Sequence, residues 1–395
     1  MARDAPGQIT VAGRSLRLPQ GITAKLLSDP EAANGVDRFV RSSPDHTVYH
    51  RPPYIDFARR QNGAADLLLL SSDGQQLLAF PFHPGPRRVT TGYAGVCFPP
   101  TSAEAPLRRA VALLAELSHL NPSLRLYSVQ SAQAPAADFS TRQGVLGWLL
   151  DGLRARREPL HTRLLRLSDG SLAAAGASIE PGARDGDERL LLGYDADLRN
   201  QIRQAARRGV TVRVVVPGSV AEATEVYGTF LRIHEESWRR TGMMPHQLDY
   251  LVGLEAAVRE GGGQDVVTLA LDANGTPIAA VNCHRYGARA IYWSGCSLTA
   301  ALPLRANPYC LHAAITAMQR LGVHTFELGR FRADEKDPKE LSVTAYKTQF
   351  RGEVQRVLNF ELGGPLVDAR AVARSARSRL RAWRQQSHRG SGYRL

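Results

Sequence analysis

Only four of the 50 basic residues in this 395-residue chain are lysines, and one of them stands between aromatic rings, in Thr344-Ala-Tyr346-Lys347-Thr-Gln-Phe350-Arg-Gly352. A cation presented there could stabilise an oxyanion or hold a carboxylate or phosphate. The same residues also suit a lysine whose stem simply packs on the rings. A second group is Arg199, Arg203 and Arg207, at i, i+4 and i+8 on one helix face, with no acidic residue from Leu198 through Ala221. Such a stripe can grip phosphates bidentately, or form an ordinary solvated face. A third is Trp293-Ser294-Gly295-Cys296 followed by Asn307-Pro308. Here a strand hands over to a helix N-terminus, a place suited to an anion or a carbonyl; a plain core strand and capped helix read the same way.

Other chemistry is missing from the sequence. His234-Glu235-Glu236-Ser237-Trp238 begins like a zinc-protease helix, but Trp238 replaces the second histidine. There is no G-x-S-x-G elbow, phosphate-cradling Walker loop or dinucleotide G-x-G-x-x-G. The four cysteines form no C-x-x-C pair, so neither a disulfide framework nor a structural metal is expected. No cofactor is expected either. A formal charge of +13 favours a polyanionic partner. No window approaches 18 uncharged apolar residues and the first residues lack an apolar leader, so a cytoplasmic protein is expected.

The elements that must position these groups occur twice. Residues 67–82 and 266–283 each hold two apolar runs around a turn, Asp73-Gly74 and Asn274-Gly275. Tyr93-Ala-Gly-Val-Cys97 follows the first and Tyr292-Trp-Ser-Gly-Cys296 the second. A helix then opens near Pro106 or Pro308, and each helix feeds an apolar strand, 124–129 or 323–328. The offsets between matching features stay near 200 residues. One strand–hairpin–helix–strand unit is therefore expected in two copies, an α/β fold with mixed sheets. The second copy has a preface: the basic helix 195–209 with a cap at Gly209, a strand over 210–216 and a helix over 221–240. The Gly-, Ala- and Ser-rich stretch 168–188 reads as a linker or exposed loop. The expected units are 1–167, completed by 353–395, and 168–352. Residues 353–362 read as one late strand. The tail 369–395 carries eight arginines and no acid, with Val372, Ala376, Leu380 and Trp383 as an apolar stripe on a basic helix.

A duplicated unit of this kind resembles the GNAT acyltransferase superfamily, and more narrowly the FemABX family, which joins two GNAT-like domains. The likeness rests on Leu198-Arg199-Asn200-Gln-Ile202-Arg203-Gln-Ala205-Ala-Arg207-Arg-Gly209-Val210, similar to the family's R-x-x-I-R-K-A-x-K-x-G-V helix. It rests also on Ile291–Cys296 with Asn307-Pro308, Leu311 and Phe326-Glu327-Leu328-Gly329, and on Tyr346-Lys347-Thr-Gln-Phe350-Arg-Gly352, similar to F-K-x-x-F-G-G. Ordinary GNAT enzymes hold coenzyme A pyrophosphate with an R/Q-x-x-G-x-G/A loop, whereas this chain has Arg305-Ala-Asn-Pro308-Tyr-Cys310, without either glycine. The resemblance implies an aminoacyl-tRNA donor, an amine acceptor (a cell-wall precursor or a secondary metabolite) and amide-bond formation in the second unit. Lys347 is expected beside the oxyanion or the tRNA end; the base is either Glu327, at a strand end, or the substrates themselves, passing the proton directly. Tyr346, Phe350, Trp293 and Ser294 would shape the pocket, and Arg199, Arg203 and Arg207 would hold phosphates. An acyl-CoA or carrier-thioester N-acyltransferase, and a non-catalytic RNA-binding protein, remain the alternatives.

Overall fold

The computed structural model describes residues 7–84, 89–90, 95–121, 126–129, 146, 160–167, 184–240, 244–332, 335–357 and 359–362. The basic tail lies outside these residues. In the first unit, β1 (Gln8–Val11) and β2 (Arg14–Arg17) pair as a hairpin. A four-stranded sheet follows, β3 (Ile22–Leu26), β4 (Asp66–Ser72), β5 (Gln75–Pro84) and β6 (Val89–Thr90), in that order. Between β3 and β4 run α1 (Ala33–Ser42) and α2 (Pro52–Asn62); after β6 come α3 (Glu104–Leu120) and β7 (Leu126–Val129).

The second unit is built on seven strands. In chain order its elements are β8 (Leu160–Arg166), α4 (Arg184–Gly193), α5 (Ala196–Arg207), β9 (Thr211–Val215), α6 (Val220–Arg240), α7 (Leu248–Glu260), β10 (Gly263–Leu271), β11 (Pro277–Tyr286), β12 (Arg289–Ser297), α8 (Ala306–Arg320), β13 (Thr325–Arg332), α9 (Pro338–Thr348) and β14 (Glu353–Val357); β15 (Asn359–Leu362) follows and pairs with β7. The sheet order is β14-β8-β13-β12-β11-β10-β9, and only β12–β13 pair in parallel among the described strands. One face packs α5 and α8 over Val266, Ala279, Val281, Phe326 and Leu328; the other packs α6 and α7 over Val267, Leu269 and Ala280.

The duplication is visible residue by residue. Asp73, Gly74 and Gly275 take the positive φ that tight turns demand (+48°, +75° and +79°). Ala79 faces Cys97 in the first copy, and Ala280 faces Cys296 in the second. A helix with a buried apolar stripe follows each pair: Leu107, Val111, Leu114 and Leu117 in α3, and Leu311, Ile315 and Met318 in α8.

Chain crossing departs from the expected division. β8 pairs with β13 and β14 inside the seven-stranded sheet rather than closing the first unit. Residues 353–362 are split: β14 joins the second sheet and β15 joins β7 of the first. Composition marks where a loop runs, and says nothing about which sheet the strand before it enters. Residues 184–188 of the expected loop are instead the start of a helix running to 193, whose Leu190 and Leu191 pack on the second core; 168–183 lie outside the described residues.

The two units meet through α2 and α7. Phe57 of α2 lies against Tyr250, with ring centroids 5.4 Å apart, and its edge comes so close to Gly253 that a Cβ there would sit 3.0 Å from the ring. Leu254, Ala257, Val258 and Val48 complete this cluster, and Arg51 Nε donates to Gly261 O at 3.3 Å. Phe57→Ala is expected to cost about 3–5 kcal/mol, as truncation of a buried aromatic does. Urea unfolding checks this, and a loss under about 1 kcal/mol would show that the interface does not hold the units together.

Candidate active site

β12 and β13 stay in register only from Arg289–Ile291 against Thr325–Glu327 and then part. Both strands are irregular where they diverge. On β12, Ser294 faces Asn282 and Tyr292 faces Cys283, so Trp293 is an extra residue, a bulge. On β13 the register with β8 slips between Glu327 and Arg330, at Gly329, whose φ of +82° suits glycine. Bulges bend strands and re-aim side chains, and two of them side by side open a notch in the sheet.

Lys347 reaches this notch from α9. Its Nζ lies 3.1 Å from where a Cβ on Gly329 would stand and 3.5 Å from Arg330 O. The residue is buried, and burial pulls its pKa below the ordinary lysine value, while Glu327 and then Glu340 pull it back up. Glu327 is sealed and accepts a hydrogen bond from Thr162 Oγ1 at 2.9 Å. Three elements bordering the notch each contribute a sealed polar atom without a protein partner: Ser294 Oγ on β12, Asn307 Oδ1 on the first turn of α8 and Tyr346 Oη on α9. Such atoms are uncommon in native structures and collect where a ligand or water completes them.

Not every expected residue reaches a substrate surface. Phe350 is 1% exposed, its ring closed off by Tyr194 and Tyr346 at 5.1 and 5.5 Å, so it supports Tyr346 from the core and has no face to offer a ligand. Arg199 Nη1 donates to the carbonyls of Tyr194 (2.5 Å) and Leu192 (3.3 Å), tying the end of α4 to α5. Arg203 and Arg207 are exposed. Ser294 is on β12 at the notch, and Trp293 stacks on His284 at 5.4 Å on the opposite face from α8.

That face holds a polar chain that no motif announced. Tyr49 Oη, from the first unit, lies 2.9 Å from His284 Nδ1. His284 Nε2 is 3.8 Å from Asp265 Oδ1, Tyr227 donates to Asp265 Oδ2, and Asn282 Nδ2 donates to Tyr227 Oη at 2.6 Å. Burial pushes the Asp265 carboxyl up to about 8, against the pull of the Tyr227 hydrogen bond, and drops the His284 imidazole to about 3. The sequence offered one signal, polar residues inside strands otherwise rich in Val, Ala and Leu. The partner Tyr49 is 235 positions from His284.

Among the described residues, no group of three His, Cys, Asp or Glu is placed to hold a metal, and no helix is long and apolar enough to cross a membrane. All four cysteines are buried and free.

Residues 195–348 match the family model described as an acetyltransferase (GNAT) domain. A comparison with curated protein sequences finds no match. In fold, the chain is similar to the crystal structure of FemX, with a TM-score of 0.60 at 13% identity, over 83% of this chain and 95% of that one. It is also similar to a protein described as the C-terminal domain of a lysylphosphatidylglycerol synthetase from Agrobacterium fabrum, with a TM-score of 0.52 at 12% identity, over 87% and 96% of the two chains. Residues 195–348 are therefore a GNAT-type domain, and the chain is an acyltransferase by that domain. Over both units the fold is similar to that of FemX, so the resemblance to the FemABX family holds at the level of the fold.

Proposed function

We propose that this acyltransferase joins an amine to the aminoacyl group of an aminoacyl-tRNA. The observation that carries the reading is the buried Lys347 amine, set over Gly329 at the β12–β13 notch with Glu327 behind it. The ester of the donor is already activated. The protein therefore needs to orient two reactants and neutralise the tetrahedral oxyanion. The acceptor nitrogen bonds to the ester carbon, the carbon–oxygen bond to the ribose breaks, and the proton lost by the amine ends on the ribose oxygen. Lys347 faces the oxyanion. Glu327, sealed and held by Thr162, keeps that lysine charged rather than touching the nucleophile. Trp293 and Ser294 line the notch, and Arg203 and Arg207 offer exposed charge to RNA phosphates. Against coenzyme A stands the first turn of α8: its third residue is Pro308, which has no N–H to give a pyrophosphate.

Mass spectrometry of products formed from a charged-tRNA pool and candidate amines tests the reading. Product is expected with the tRNA pool and should vanish after RNase treatment. Product made from acyl-CoA and indifferent to RNase would replace it with the thioester alternative. Gly329→Ala provides a finer check. The new Cβ meets Lys347 Nζ in a backbone region costly for alanine, so kcat should fall by about 10-fold to 10²-fold. An unchanged kcat would mean the amine is not held there for chemistry.

A further inference from the structure

Trp293 is the extra residue whose insertion bulges β12, and its indole packs on the cluster that joins the two units. There it belongs to a closed circuit of rings. Trp293 stacks on His284 at 5.4 Å, His284 meets Tyr49 of the first unit at 6.1 Å, and Tyr49 meets Tyr54 at 5.0 Å. Tyr54 reaches Phe57 at 6.0 Å, and Phe57 crosses back to Tyr250. Tyr250 stacks on His246 at 4.7 Å, and His246 returns to Trp293 at 5.4 Å. Ring pairs of this kind have preferred geometries, so they fix orientation as well as bury area. The irregularity that shapes the notch is thus held from the first unit as well as from its own sheet.

The link between His284 and Tyr49 is more than packing. Tyr49 Oη lies 2.9 Å from His284 Nδ1, while His284 Nε2 is sealed and has no partner. The imidazole therefore has one hydrogen bond to set its plane, and the indole rests on that plane. Tyr49 is itself anchored. It sits in the single turn Val48–His50, where its N–H donates to Thr47 Oγ1 at 3.3 Å, and Val48 lies in the cluster between the units.

The other end of this path is the site. Tyr292 precedes Trp293, and its carbonyl oxygen lies 3.8 Å from where a Cβ on Gly329 would stand; Lys347 Nζ lies 3.1 Å from the same point. A bulge that slid by one residue would turn the side chains it passed to the other face of the sheet. Holding the indole keeps the bulge at Trp293, and with it the carbonyl wall that faces Lys347.

We infer that Tyr49 is a positioning residue for acyl transfer: through its bond to His284 it seats Trp293, and so fixes the bulge that opens the notch beside Lys347. This rests on the notch being the acyl-transfer site, and it gives the first unit a part in the chemistry.

The test labels the full chain with 5-fluorotryptophan and reads its four tryptophans by fluorine NMR. The Trp293 resonance is assigned by its loss in Trp293→Phe. Tyr49→Phe removes a hydroxyl and keeps the ring. It is expected to shift or broaden the Trp293 resonance and to lower kcat by about 10-fold with KM for the donor unchanged, because small misplacements at a reacting centre are costly. His284→Gln keeps a partner for Tyr49 and removes the ring beneath Trp293. It should lose a similar factor, and the double variant should lose no more than the worse single one, because both changes cut one path. An unmoved Trp293 resonance in Tyr49→Phe overturns the inference, and so does a moved resonance with wild-type kcat. Losses that multiply in the double variant would put the two residues on separate paths and overturn it as well. A lower melting temperature with kcat per folded molecule intact would leave Tyr49 a structural tie only, against the inference. The fluorine signal is read without donor, so it stands or falls apart from the donor assignment; product from acyl-CoA in place of aminoacyl-tRNA would sink that assignment alone, and kcat would be compared with the thioester.

Discussion

Lys347→Ala is expected to lower kcat by about 10²-fold or more, the usual loss when a group facing a developing oxyanion is removed. The fold should not suffer. The ammonium is desolvated and its contact with Arg330 O is long, so its removal relieves a buried charge. Unfolding midpoints at or above wild type would separate loss of chemistry from loss of structure. The rate should also report the lysine through pH. Only the charged amine neutralises an oxyanion, and burial lowers its pKa below the ordinary value near 10.4. The rate should thus fall on the alkaline side earlier than an ordinary lysine would allow, and the residual rate of Lys347→Ala should lack that limb. Lys347→Arg keeps the charge, but its wider fork has to fit where Nζ already crowds Gly329. It should lose kcat and show no alkaline limb in the accessible range. A Lys347→Ala variant with wild-type kcat, or with the limb intact, would remove this lysine from the mechanism. It would also leave the non-catalytic RNA-binding alternative standing.

What the sequence made legible was local. Asp73-Gly74 and Asn274-Gly275 announce hairpins because few other residues accept the required φ, and α3 and α8 show their buried stripes as period-3.6 patterns. Their matched order exposed the duplication. Lys347 stood out through rarity and aromatic neighbours, and its Nζ lies beside Gly329. The uses of other residues depend on partners far along the chain. Nothing near Phe350 tells that Tyr194 closes over it, and nothing near Arg199 tells that the carbonyls of Leu192 and Tyr194 will hold its Nη1. β8 enters the second sheet because β13 and β14 leave an open strand position there, a tertiary fact invisible in the seven residues of the strand itself.

Asp265→Asn is expected to change how stability depends on pH, and the direction follows from two groups with opposite shifts. The folded chain keeps the Asp265 proton up to about pH 8, whereas the unfolded chain releases it near pH 4. Its contribution is therefore complete at low pH and is lost as pH rises toward 8. His284 works the other way. Its folded pKa is about 3 against an unfolded value near 6.5, so stability rises with pH across that window. Each slope is at most about 1.4 kcal/mol per pH unit, so the two cancel from about pH 4 to 6.5 and Asp265 acts alone from about 6.5 to 8. His50, His234 and His312, lowered by burial to about 3, 4 and 4, steepen the acid side further. Wild-type stability should consequently peak near pH 6.5 and lose about 2 kcal/mol by pH 8. In Asp265→Asn, the amide oxygen can still accept from Tyr227 and the amide nitrogen faces His284 across the same 3.8 Å gap, so the group stays neutral without a buried charge. The variant should match wild type at pH 6.5 to within about 1 kcal/mol and exceed it by about 2 kcal/mol above pH 8, because it has no proton to lose. Urea midpoints at pH 5.5, 6.5, 7.5 and 8.5 measure both curves. A flat wild-type curve above pH 6.5, or the same decline in Asp265→Asn, would mean that the carboxyl is ionised in the folded protein and that His284 is not held neutral beside a protonated acid.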